Sequence, residues 1–225
     1  MTFSLVGRCE RTGMLGVAVS SSSPAVAARC AWALAGIGAA ATQNITDPSL
    51  GDALLTRIAA GDSAEEAMSV VVAAAANVEY RQLTVVDAEG SSAAFSGSQT
   101  LGLHSTQKGP GCAAAGNLLA DVGVPAAMTD AFALDPESHL GDRLVAALRA
   151  GLGAGGEEGP VRSAGMIVVD AVTWPVTDLR VDWTDGNPVA ELHALWRLWR
   201  PQADDYVRRA LDPGQAPRYG VPGDE

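Results

Sequence analysis

The chain opens on two short extended runs, Thr2 to Cys9 and Met14 to Ser20, joined only by Glu10-Arg11-Thr12-Gly13. Four polar or turn-forming residues ending in glycine have the length and chemistry of a hairpin loop, so the two runs pair as antiparallel neighbours. Whatever follows must extend that pair into a sheet and cover it.

The later segments supply both kinds of element. Ser20 to Pro24 breaks the second strand, and Gly36 to Thr42 reads as a third, buried strand dense in small residues. Leu50 to Ala60 reads as a helix stopped by Gly61, and Ser63-Ala-Glu-Glu66 is a capping box that starts another, through Ala76. Arg81 to Asp87 and Ser91 to Ser96, joined by Ala88-Glu89-Gly90, form a second hairpin. Cys112 to Ala115 reads as a short strand leading into Gly116-Asn117. Helices follow over Pro125 to Leu134 and His139 to Ala150, the second placing Leu140, Leu144, Val145 and Leu148 on one face.

Gly151 to Pro160 reads as a flexible acidic loop, and Ser163 to Asp170 and Thr177 to Trp183 as late strands. The run Met166-Ile-Val-Val169 has the continuous apolar character of a strand buried on both faces. Asn187-Pro188 caps a last helix carrying Val189, Leu192, Leu195, Trp196 and Trp199. Its two tryptophans either pack on the sheet or form an exposed patch that pairs subunits, and the second option points to a homodimer. Strands, then helices, then strands imply an α+β layered domain. With no repeat and no linker, one domain spans residues 1–225, its tail (211–225) wrapping the surface.

Composition narrows the function classes. Hydrophobic residues make up 48% of the 225, enough for a sizeable core, and no apolar run is long enough to span a bilayer. The longest, Ala25 to Ala41, is broken by Arg29 and glycines. The first residues lack the basic and apolar segments of a secretory signal. Three widely spaced cysteines, Cys9, Cys30 and Cys112, read as reduced buried thiols, so the expected location is the cytoplasm. A formal net charge of −11 with no basic patch argues against a nucleic-acid partner.

The usual chemical motifs are missing. There is no GxSxG elbow, no GxxxxGK[ST] loop and no GxGxxG after a strand, so no cofactor is expected. Gly151 to Gly156 is glycine-rich but follows a helix. His104, His139 and His193 are scattered and read as surface or capping residues, and Cys112 as an inert thiol, so no metal site is expected. Thr2 is different. It follows Met1 directly, and methionine is removed before small residues; the exposed residue then carries a hydroxyl and an α-amine of pKa about 7.7–8.0. That amine can take the hydroxyl proton, as in catalysis by an N-terminal threonine.

Thr2-Phe-Ser-Leu-Val-Gly-Arg8, Thr12-Gly13 and Leu15-Gly-Val-Ala-Val-Ser20 resemble the start of the family catalogued as domain of unknown function 1028. Pro24-Ala-Val26, Ala40-Ala-Thr-Gln43, Pro48-Ser-Leu-Gly51, Val86-Asp-Ala-Glu-Gly90 and Gly116-Asn117 continue the likeness. So do Arg162-Ser-Ala164, Asp178-Leu-Arg-Val-Asp182 and Pro188-Val-Ala-Glu-Leu192, in order along nearly the whole chain. That family is similar to the N-terminal-nucleophile (Ntn) hydrolases. The resemblance implies a four-layer αββα sandwich, two antiparallel sheets stacked between helices, with Thr2 heading a central strand. One departure stands out: proteasome-like enzymes carry a lysine on the third strand, and Gly36 to Thr42 has none.

Within such a fold the pocket at Thr2 is bordered by Ser21 to Ser23 and by Gln43 and Asn44, with Ser22, Gln43, Asn44 and Arg162 as substrate-binding candidates. Gly116-Asn117 is placed to donate N–H groups to an oxyanion, making Asn117 the second catalytic candidate. Arg162 and Arg180 are residues suited to gripping a carboxylate, though Arg180 lies among Asp178, Asp182 and Asp185. Two main readings remain open. One is a hydrolase of C–N bonds in a small amide-like metabolite with Thr2 as nucleophile. The other is a non-catalytic ligand-binding or assembly protein on the same sandwich. A hydrolase using an internal side chain or a bound metal is a third.

Overall fold

The opening hairpin forms. β1 (Thr2–Arg8) and β2 (Leu15–Ser21) pair antiparallel, with Phe3 opposite Ser20 and Arg8 opposite Leu15. Gly13 closes the turn at φ +78°, a conformation that a side chain would strain. The computed structural model describes residues 1–223. In chain order its further elements are α1 (Ala27–Cys30), β3 (Ala31–Leu34), β4 (Gly38–Asn44), α2 (Ser49–Ala59) and α3 (Ala64–Ala74). Then come β5 (Arg81–Asp87), β6 (Ser92–Ser96), β7 (Ser105–Gly109) and β8 (Cys112–Asn117). The chain finishes with α4 (Val124–Ala133), α5 (Leu140–Gly153), β9 (Ser163–Val169), β10 (Thr177–Val181), α6 (Pro188–Trp199) and α7 (Ala203–Leu211).

Helices and antiparallel strands mix, as the α+β reading requires. One sheet has six strands in the order β10-β9-β2-β1-β8-β7, and a second has four in the order β3-β4-β5-β6. Every neighbouring pair is antiparallel. β1 and β2 are the two central strands of the larger sheet.

Alternation along β1 sorts its side chains between two environments. Phe3 and Leu5 pack with Met128 and Phe132 of α4 and Leu144 and Leu148 of α5. Val6 points the other way, into a cluster with Val17, Val19, Ala39, Ala41 and Val86 that draws on both sheets. A third cluster sets Leu54, Leu55 and Ile58 of α2 and Met68 and Val71 of α3 on Ala40, Leu83 and Val85 of the smaller sheet. The helix above β1 comes so close that a Cβ on Gly7 would lie 2.5 Å from Phe132 Cζ. Glycine there is a packing requirement, independent of any turn.

The capping box at Ser63 forms with both of its hydrogen bonds, and His139 caps α5 by accepting the Gly141 N–H at 3.0 Å. The strand from Ser163 is buried along its whole length between β2 and β10. The two tryptophans of α6 pack inside the chain. Trp196 is buried against α5, its Nε1–H donating to Asp142 Oδ1 at 2.8 Å. Trp199 Nε1–H donates to the Val176 carbonyl at 3.1 Å, and its ring stacks on Tyr206 at 4.9 Å. These rings therefore give no argument for self-pairing.

Several elements depart from the sequence reading. The strand expected over Gly36 to Thr42 forms as β4, but the run before it divides into α1 and the edge strand β3, neither of which the sequence reading names. The polar β7 and the charged α7 occupy stretches for which the sequence reading names no element. Cys9, Cys30 and Cys112 are buried free thiols. Among the described residues no helix is long and apolar enough to cross a membrane. Of the proposed tail, residues 224–225 lie outside the described part.

Candidate functional site

Polarity along the inter-sheet face of β1 changes at its N-terminal end. Val6 is apolar, but Ser4 and Thr2, which share its face by the two-residue period, are polar and buried. Neighbouring strands do the same: Ser21 ends β2, and Asn117 ends β8 directly opposite Thr2. The site is thus the polar end of an otherwise apolar layer.

The Thr2 and Ser21 hydroxyls lie 3.3 Å apart, and both donate to the Met1 carbonyl. Below them runs a chain of buried hydrogen bonds that ties the two sheets. Ser4 Oγ donates to Gln43 Oε1 at 2.6 Å, and Gln43 Nε2 donates to Gln82 Oε1 at 2.8 Å. Asn117 Nδ2 donates to the same oxygen at 3.1 Å. Gln82 Nε2 in turn donates to Ser96 Oγ at 2.9 Å and to the Gly116 carbonyl at 3.0 Å. Buried amides are stable only when paired in this way. One atom is left over: Asn117 Oδ1 is buried and has no hydrogen-bond partner.

A carboxylate completes the surroundings. Glu157, only 4% exposed, lies in the loop after α5. Both of its oxygens accept the Ser22 backbone N–H, at 3.0 and 3.1 Å. Burial pushes its carboxyl up to about 7, although the Ser22 hydrogen bonds and the charge of the chain's α-ammonium group pull the other way. Two residues on, a Cβ at Gly159 would sit 3.9 Å from Met1 Cε, so this loop runs beside Met1.

The sequence-predicted residues divide. Thr2, Asn117 and Gln43 come together with Ser21, and Ser22 joins them through its N–H to Glu157. Asn44 does not: at φ +74°, its Nδ2 donates to the Tyr80 carbonyl at 2.6 Å and its Oδ1 accepts the Leu101 N–H at 3.2 Å. Arg162 is fixed beside the site by its backbone N–H, which donates to the Ser21 carbonyl at 2.8 Å. Its guanidinium faces elsewhere, on Asp185 at 3.0 Å and over the Trp183 ring at 5.8 Å. Arg180 forks onto Asp178 with two bonds of 2.9 Å.

Gln82 and Glu157 were missed. Gln82 is a polar residue in a strand pattern, and Glu157 stands in an acidic, glycine-rich segment that composition reads as solvated. No cluster of three or more His, Cys, Asp or Glu suited to a metal occurs among the described residues.

Chemically, the arrangement offers a hydroxyl pair, a buried carboxyl that titrates near neutrality and an unused amide oxygen at one end of a rigid layer. The family described as "Family of unknown function (DUF1028)" matches residues 2–192. Protein SPO2555 from Silicibacter pomeroyi, a DUF1028 protein with a crystal structure, is 30% identical, covering 92% of this chain and 94% of its own at a TM-score of 0.83. Anbu from Hyphomicrobium sp. strain MC1 is 12% identical, covering 97% of this chain and 100% of its own, at a TM-score of 0.44. Anbu (ancestral beta-subunit) from Yersinia bercovieri is 10% identical over 92% of this chain and 97% of its own, at a TM-score of 0.41. Among curated proteins, none matches.

Proposed function

The chain belongs to the DUF1028 family, and from that premise we propose that it hydrolyses C–N bonds in a small amide-like metabolite, with Thr2 as nucleophile after removal of Met1. The observation that carries this reading is the position of Thr2. It heads a central strand, buried, with its hydroxyl 3.3 Å from that of Ser21 and with Asn117 as its strand partner. The same reading takes the two sheets, with α2–α3 on one and α4–α6 on the other, as the four-layer αββα sandwich of the Ntn hydrolases.

Removing Met1 takes away the carbonyl that occupies both hydroxyls and frees the Thr2 α-amine. The amine accepts the hydroxyl proton as Oγ1 bonds to the substrate carbonyl carbon. The carbonyl oxygen takes the negative charge, next to the Gly116-Asn117 segment that Gln82 holds in place. The protonated amine then delivers its proton to the departing nitrogen and the C–N bond breaks. Water attacks the remaining ester, losing a proton to the amine, and releases the acid with Thr2 regenerated. Asn117 Oδ1 is an unused acceptor for an N–H group of the substrate or of Thr2 itself.

The alternative is a non-catalytic protein that keeps Met1. While Met1 is present, its carbonyl accepts from both hydroxyls and Thr2 has no free amine. Intact-mass measurement of the purified protein separates the two. A mass lacking one methionine supports the hydrolase, and quantitative retention of Met1 supports a binding or assembly role.

A further inference from the structure

At the other end of β1, about 20 Å from Thr2 by strand rise, is a cavity of about 650 Å³. Its inner wall carries Arg8, the last residue of β1, and Arg143, in the first turn of α5. Arg143 is 7% exposed, its Nε donates to the Phe132 carbonyl at 2.9 Å, and its guanidinium lies 3.9 Å above the Phe132 ring. Arg8 Nε is buried with no partner. Neither guanidinium has a carboxylate within ion-pair distance among the described residues. The Cys9 and Cys112 thiols and the Asp135 carboxyl feel the charge of Arg143 only from further away.

This is an unusual arrangement for a chain of net charge −11, which has carboxylates to spare. A buried cation without an anion is costly, and a cation in the first turn of a helix also opposes the positive end of the helix dipole. The carboxylates are at the mouth of the cavity. Glu10 and Glu89 are exposed there, while Glu137 is engaged by Arg11 at 3.9 Å. Gly90 lines the same cavity, and a Cβ there would come within 3.7 Å of Arg8 Cδ. That is an ordinary contact distance, and it is the backbone at φ +91° that favours glycine at this position.

We propose that this cavity binds a zwitterion of the amino-acid or short-peptide type, its carboxylate on Arg8 and Arg143 and its ammonium group at Glu10 and Glu89. A guanidinium recognises a planar carboxylate through paired N–H donors, and two of them line this cavity. The acidic mouth repels a purely anionic ligand and attracts one whose far end is positive. The site is separate from Thr2 and does not depend on the hydrolase reading.

Calorimetric titration of the purified full chain with four probes tests this: L-alanyl-L-alanine, its C-terminal amide, its N-acetyl derivative and inorganic phosphate. The dipeptide binds at millimolar concentration or better. The amide, which lacks the carboxylate, binds about tenfold more weakly or worse, the N-acetyl form several-fold more weakly, and phosphate more weakly than the dipeptide. Arg8→Gln and Arg143→Lys each weaken the dipeptide about tenfold. Because Arg143 packs on Phe132, its variant is scored only if its thermal melt is cooperative. Arg8→Gln and the exposed double variant Glu10→Gln/Glu89→Gln carry the test without it, the latter weakening the dipeptide but not the N-acetyl form. No dipeptide binding, equal binding of the amide, tighter binding of phosphate, or unchanged affinity in Arg8→Gln overturns the proposal.

Discussion

Glu157 accepts a single backbone N–H, that of Ser22, on both carboxylate oxygens, and among the described residues no cationic side chain pairs with it. A buried carboxyl held this way favours its protonated form, so the folded state binds the proton more tightly than the unfolded chain does. Its pKa is raised from the ordinary 4.5 to about 7, so the penalty is absent below that range, grows through it and is complete above it. Glu157→Gln removes the titration and keeps an acceptor for Ser22. The stability of the variant relative to wild type should therefore rise by about 1–3 kcal/mol as pH increases through that window. Thermal melts across it check this, and a stability difference independent of pH contradicts it.

Gln82 is the hub of the amide network between the sheets. Its Oε1 accepts from Gln43 and Asn117, and its Nε2 donates to Ser96 and the Gly116 carbonyl. Gln82→Leu keeps much of the volume but strands several buried polar groups, which costs about 2–5 kcal/mol. Chemical denaturation measures it. A cost below about 1 kcal/mol would mean that the network adds little to stability.

Gly7 and Phe132 make a complementary pair. A methyl group on Gly7 would overlap the Phe132 ring, its Cβ 2.5 Å from Cζ and 2.7 Å from Cε2. Gly7→Ala should destabilise by about 1–3 kcal/mol, and adding Phe132→Leu should recover part of the loss. Strict additivity of the two changes in denaturation experiments would refute the contact.

The hairpins, the capping box and the α6 cap were legible because each is encoded within a few residues. Ser63 to Glu66 and Asn187-Pro188 announce helix starts by local chemistry alone. β3 was hidden in Ala25 to Ala41, where small apolar residues fit a helix, a strand or a turn, and no period separates them. β7, Ser-Thr-Gln-Lys-Gly at the edge of its sheet, has no buried face to mark it as a strand. At the site, Thr2, Gln43 and Asn117 were accessible through the family resemblance. Gln82 and Glu157 were not, because their burial is created by a second sheet and a returning loop far off in sequence. Arg8 and Arg143 were overlooked for the same reason: 134 residues lie between them, and only the fold sets them in one cavity.

The central claim is that Thr2 Oγ1 is a nucleophile, and the direct measurement is turnover of a library of small amides by wild type and Thr2→Ala, side by side. Both proteins are first confirmed to be folded and to lack Met1. Thr2→Ala should keep stability within about 1 kcal/mol, because without Met1 the hydroxyl has a single weak side-chain contact to lose, that with Ser21 at 3.3 Å. Wild type should hydrolyse at least one amide, Thr2→Ser should retain part of that rate, and Thr2→Ala should show none. Equal rates for wild type and Thr2→Ala on any accepted substrate would contradict the account.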